Sequence, residues 1–161
     1  MKCARIMLII GILSAAGTLF AASDTDCSNL KADVSVQTGK PGTWFGLAVL
    51  SLGQEEIVGD VLVIQDLRSI VVEPDGSFSG RETAYFYSAA GNFTVLAEYR
   101  VEPTETPGKL QYHGVGNIVE GDKLFAAMFG RMRIRGPIYA DPDGGATAEL
   151  KANGSLCRLE K

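Results

Sequence analysis

The second half of a stretch reading SFSGRETAYFYSAAGNFTVLAEYRVE, residues 77–102, alternates strictly. Phe93, Val95, Ala97, Tyr99 and Val101 interleave with Thr94, Leu96, Glu98, Arg100 and Glu102. A period of two with one apolar face and one mostly charged face predicts a half-buried antiparallel strand. Ala90, Gly91 and Asn92 supply a turn, so the preceding run folds back on this one as a hairpin. The odd-numbered positions from 93 to 101 are expected to face a shared interior.

Similar runs recur along the chain. A short alternating piece lies within 29–38, and Gly39-Lys40-Pro41-Gly42 breaks it. Strands are predicted at 43–52 and 57–65, with a resumption at 69–73 before the turn Pro74-Asp75-Gly76-Ser77. A polar connection at 102–109 precedes a strand at 110–119, in which Gly114 and Gly116 suggest a bend. One long strand is predicted over 123–134, ended or kinked at Gly136-Pro137. Two shorter ones follow, at 147–152 and 156–159, separated by Asn153-Gly154.

No long window outside the N-terminus sustains helical spacing. Turn signals every ten to fifteen residues or so, with strand-like runs between them, predict an all-β antiparallel sandwich or barrel. A barrel is favoured because it hides strand edges, and glycines inside several strands help a sheet to coil. The expectation is one antiparallel barrel of about eight strands.

Composition fits one globular domain: 161 residues, 46% hydrophobic. Residues 1–22 are set apart. Lys2 and Arg5 precede an apolar run from Ile6 to Leu13, and small residues lead to Ala22. This reads as a cleaved signal peptide, leaving 23–161 as the domain and predicting a secreted protein, extracellular or periplasmic. No stable membrane span is expected once the leader is removed. Loss of Lys2 and Arg5 takes the formal charge from −4 to about −6. That charge argues against nucleic acid as a partner.

Cys3 leaves with the leader, and Cys27 and Cys157 remain near the two ends of the domain. In an oxidising compartment they most simply pair. Closing so long a loop contributes about 4–5 kcal/mol in the chain-entropy view. Two distant thiols and one histidine make no metal-ligand set, and no phosphate loop or dinucleotide motif appears, so neither metal nor cofactor is expected. Asn92-Phe93-Thr94 and Asn153-Gly154-Ser155 are glycosylation sequons.

The run DGSFSGRETAYFYSAAGNFTVLAEYRVEP, followed by HGVGNIVEGDKLFAAMFG, resembles small secreted bacterial-type β-barrel proteins of uncharacterised role. The wider similarity is to the calycin-like group, to which lipocalins belong, and more distantly to allene oxide cyclase and dirigent barrels. Gly42-Thr43-Trp44 echoes the lipocalin Gly-x-Trp opening. The resemblance is one of turns and glycines and carries over no functional residue.

Candidate chemistry is sparse. Glu82 alternates with Phe78, Gly80, Ala84 and Phe86. If that face is interior, desolvation raises its pKa and makes it a proton donor or ligand-orienting group. A bulge at Gly80, or pairing with an arginine at a rim, would remove that role. Phe78, Phe86, Phe93, Tyr99, Tyr112, Met128 and Met132 either line a pocket or fill the interior solidly. His113, the single histidine, shares a face with Gln111 and Val115 and has no nucleophile signature near it. Arg131, Arg133 and Arg135 share one strand face. The ordinary reading of such a row is a solvated surface balanced by acids such as Glu98 and Glu102.

Three functions fit. The first is a non-catalytic protein holding a small apolar or amphipathic ligand in the barrel. The second is a cavity-based isomerase or cyclase using Glu82. The third is a structural or partner-binding domain with a filled core.

Overall fold

The computed structural model describes residues 25–159. The expected signal peptide, Cys3 included, lies outside the described residues.

Eight antiparallel strands follow one another around a closed barrel. They are β1 (Thr25–Thr38), β2 (Thr43–Leu52), β3 (Glu55–Val72), β4 (Phe78–Ser88), β5 (Gly91–Pro103), β6 (Lys109–Gly121), β7 (Met128–Ala140) and β8 (Ala146–Leu159). Each strand pairs with the next, and β1 pairs with β8 to close the ring. The all-β barrel of eight strands is therefore as expected.

Alternation decides what faces inward. On β5, Phe93, Val95, Ala97, Tyr99 and Val101 are all buried, while Leu96, Glu98 and Arg100 are exposed. The interior is completed by such residues as Leu30, Val36, Ala48, Leu50, Val61 and Leu156. Several inward positions are glycine. A Cβ on Gly46 would come within 1.9 Å of the Ser35 carbonyl oxygen, and one on Gly136 within 2.0 Å of that of Glu149. Neighbouring strands therefore pass closer at these points than any side chain permits, which is how a small sheet coils tightly enough to shut.

Three details differ from expectation. The long strand predicted from Lys123 starts only at Met128. Residues Lys123–Phe125 form a short 3-10 turn, entered and left through positive φ at Lys123 (46°) and Ala127 (57°). Phe125 is 0% exposed in this turn, so burial of one aromatic ring outweighs strand continuation. Asn153-Gly154 does not divide the last strand, because a Cβ-free position is what the close crossing of Arg131 on β7 requires. Gly136-Pro137 does not end β7, whose register with β6 runs through to Lys109↔Tyr139, although the pairing with β8 skips these two residues.

Cys27 and Cys157 are direct register partners on β1 and β8 and are disulfide-bonded, 130 residues apart in sequence. The bond sits on the outer face, where Phe129 is the next cross-strand neighbour of Cys157. It ties the two ends of the barrel domain, as expected.

Candidate functional site

The site is built on β4 and the strands either side of it. Glu82 lies opposite Gln65 on β3 and Ala97 on β5. Ala97 is buried in the barrel, so Glu82 also points inward. Neither alternative reading of Glu82 holds. Gly80 keeps its register against Tyr99, and the irregularity falls instead on β3, between Asp66 and Val71. Nor is Glu82 paired with arginine: its carboxylate oxygen Oε1 accepts a hydrogen bond of 2.5 Å from the Tyr112 hydroxyl on β6.

Burial pushes the Glu82 carboxyl up from 4.5 to about 7, and the Tyr112 bond opposes the rise. Tyr112 is raised well above the ordinary tyrosine value, first by burial and then by the Glu82 charge. The Tyr112 ring stacks on Tyr99 at 5.7 Å between centroids. The Tyr99 hydroxyl accepts from Gln65 Nε2 at 3.3 Å and is pushed up to about 12, again by burial and then by Glu82. A Cβ on Gly80 would stand 2.8 Å from that hydroxyl, so the glycine makes room for the Tyr99 ring. Four polar side chains thus run through an otherwise hydrocarbon interior, with no cation among them.

Two small voids flank this cluster. One, of about 40 Å³, is lined by Val36, Trp44, Gln65, Phe78, Glu82 and Tyr112, among others. The other, of about 80 Å³, is lined by Leu50, Glu82, Phe86, Phe93, Met132 and Ile134, among others. Glu82, Val63 and Leu150 belong to both. The Tyr112 bond is the only one to the Glu82 carboxylate among the described residues. No sealed side-chain nitrogen or oxygen there lacks a partner. The second oxygen, Oε2, has no such bond and is therefore not fully sealed, on a side chain that lines both voids.

Most of the expected site residues are brought together, in two groups. Phe78, Glu82 and Tyr112 surround the smaller void, with Tyr99 behind them. Phe86, Phe93 and Met132 line the larger one. Met128 packs against the core but lines neither void. Trp44 and Gln65 were not singled out from the sequence. Gln65 was within reach, because Val61, Val63 and Gln65 share one parity on β3. His113 faces outward, its Nε2 3.7 Å from a Glu102 carboxylate oxygen. The arginine row is not balanced as expected. Glu102 is bonded by Arg100 at 2.8 Å, and Glu98 lies opposite Arg81 and Val115 rather than β7.

Among the described residues no group of His, Cys, Asp and Glu side chains could hold a metal ion. No helix there is long and apolar enough to cross a membrane. The cluster itself can present either a carboxyl proton or a carboxylate to a small guest near neutral pH. No family model, curated protein or solved structure matches the chain.

Proposed function

We propose that this barrel is a non-catalytic binding protein for a compact amphipathic molecule, held inside the barrel with its polar group on Glu82. The observation that carries the reading is Glu82, which lines both voids and whose Oε2 has no donor among the described residues. Buried polar atoms are normally partnered, and a donor on a guest would supply what the protein does not. Void size limits the guest. Pockets for drug-sized ligands measure about 300–1,000 Å³. A dry cavity of about 150 Å³ takes benzene. Voids of about 40 and 80 Å³ are each smaller than that, so either alone takes only a short chain, a single ring needs the two to join across their shared lining of Val63, Glu82 and Leu150, and long lipids are excluded. The disulfide supports an oxidising compartment, and the leader reading of residues 1–22 agrees with secretion.

Trp44 is the single tryptophan and lines the smaller void, so it reports on occupancy. Titration with phenol should change its fluorescence saturably. Toluene, which leaves Oε2 without a donor, should bind at least tenfold more weakly than phenol, and Glu82→Leu should remove the difference. Mass spectrometry of the native protein should find a small copurified molecule. No saturable signal with either probe, and no copurified molecule, would refute the reading.

A second reading rests on the outer face of β2 and β3. Phe45 and Leu47 on β2 stand exposed beside Val58 and Ile64 on β3, with Asp60 the one charge among them. An apolar sheet face of this kind suits a protein partner. In its simplest form the chain self-associates and Leu47→Asp returns it to monomer. Sedimentation showing a monomeric wild type at high concentration would remove that form.

A further inference from the structure

On the opposite side of the barrel, β7 turns Arg131, Arg133 and Arg135 outward, all three exposed. Successive outward positions on a strand repeat at about 6.8 Å. The three guanidinium groups therefore form an evenly spaced row. Among the described residues none of them makes an ion pair or a side-chain hydrogen bond. The acids on the nearby strands are otherwise engaged: Glu149, two residues from Lys151 on β8, accepts a hydrogen bond from Ser35, Asp33 on β1 pairs with Lys151, and Glu102 on β5 pairs with Arg100. Glu98 on β5 bounds the row on that side.

No acid stands directly opposite any of the three arginines. Arg131 sits between Asn117 and Ser155, and Arg133 between Val115 and Asn153. Arg135 sits between His113 and Lys151, and Lys151 is already paired with Asp33. A chain with net charge −4 thus carries, along one strand, a strip of unpaired positive charge edged by amides and a hydroxyl.

We infer that this strip binds a linear anionic polysaccharide. Guanidinium groups grip carboxylate or sulfate in a two-bond fork. Asn117, Asn153 and Ser155 offer donors and acceptors of the kind that sugar hydroxyls require. A single-stranded nucleic acid fits less well, because it needs aromatic rings interleaved with the cations. The outward aromatics of β7, Phe129 and Tyr139, stand at its two ends, and Tyr139 already lies under Lys109. The acidity of the rest of the chain confines a polyanion to this one strip.

The test uses the whole chain against alginate, which is carboxylated, and dextran sulfate. Neutral dextran and oligo(dT) serve as comparators, and each titration is run from about 50 to about 200 mM salt. At least one of the two anionic polysaccharides should bind at low salt, and which one identifies the anionic group. Arg131→Ser/Arg133→Ser/Arg135→Ser should weaken binding at least tenfold. It should also lower the slope of log affinity against log salt by about two to three. The three side chains are exposed and make no ion pair or side-chain hydrogen bond among the described residues, so the thermal midpoint should move little. If the triple variant does fail to fold, Arg133→Ser alone should still weaken binding severalfold. A variant losing three cations elsewhere, Lys40→Ser/Arg68→Ser/Lys123→Ser, should bind nearly as the wild type does. Retention of neither polysaccharide, equal weakening in the two triple variants, or tighter binding of oligo(dT) would each overturn the inference.

Discussion

The two ends of the barrel interior are made by the same strands and the same alternation, yet they are chemically unlike. At the end where β1 begins and β8 finishes, Phe86, Phe93 and Phe125 pack ring to ring, with centroids 4.9 to 6.1 Å apart. Phe125 reaches this cluster from the 3-10 turn between β6 and β7 and acts as a plug. Towards the other end, Trp44 and Phe78 are only partly buried, and Gln65, Glu82, Tyr99 and Tyr112 bring polar atoms inside. The difference teaches that closing a barrel does not require a polar interior. One end achieves closure with hydrocarbon alone, so the cluster at the other end is an addition to the fold and not a condition of it.

The comparison breaks most visibly if the plug is removed. Phe125→Ala deletes a fully buried ring, a change that costs about 3–5 kcal/mol in a packed core. Urea unfolding should show that loss, with the Glu82 titration unchanged. A loss below about 1 kcal/mol would mean that the aromatic end is not what holds the barrel shut. The disulfide at the same end should matter nearly as much. Cys27→Ser/Cys157→Ser should cost about 2–5 kcal/mol, mostly through a freer unfolded chain. The β1–β8 ladder already holds the two strands together in the folded state, so the structure itself should change little.

The sequence revealed these two ends unequally. Strand-by-strand alternation, the turn signals and two end-placed cysteines were enough for the closed sheet, since a period of two translates directly into inside and outside. Glu82 was legible in part for the same reason: its parity with Phe78, Ala84 and Phe86 made an interior place one reading, which a bulge at Gly80 or a rim position would have undone. Its partner was not. Tyr112 comes from β6, two strands away, and no local pattern specifies which inward side chains meet across a barrel. Phe125 was misplaced in a strand because Leu124, Phe125 and Met128 read as strand formers. Only the tertiary value of a buried ring makes the chain turn there. The unpaired state of the arginine row was also hidden, because charge balance on a sheet depends on register and on which acids are already engaged.

Glu82→Gln tests whether the polar cluster is an addition to the fold. The Glu82 carboxyl titrates at about 7 in the folded chain against 4.5 ordinarily, so the folded state holds its proton more tightly than the unfolded state. Stability should therefore be fullest below about pH 4.5, decline as pH rises from there to about 7, and level off above. The shift corresponds to a decline of up to about 3 kcal/mol. Glutamine carries no such charge, so Glu82→Gln should flatten this part of the profile and be more stable than wild type at pH 8. A variant that is less stable than wild type at pH 8 would show that the carboxylate supports the barrel.

The smallest expected effect is the most specific. Tyr112→Phe removes the only protein donor to the Glu82 carboxylate among the described residues and leaves the ring stacked on Tyr99. At pH 5 the carboxyl is largely protonated, and loss of one neutral hydrogen bond should cost about 0.5–1.5 kcal/mol. At pH 8 the partner is charged, and the cost should rise to about 1.5–3 kcal/mol. Because the Tyr112 bond holds the Glu82 pKa down against burial, its removal should also carry the stability decline to higher pH. Thermal unfolding at the two pH values measures the difference directly. Equal costs would mean that Tyr112 does not sense the Glu82 charge, and the guest-binding reading would lose the group that orients its acceptor.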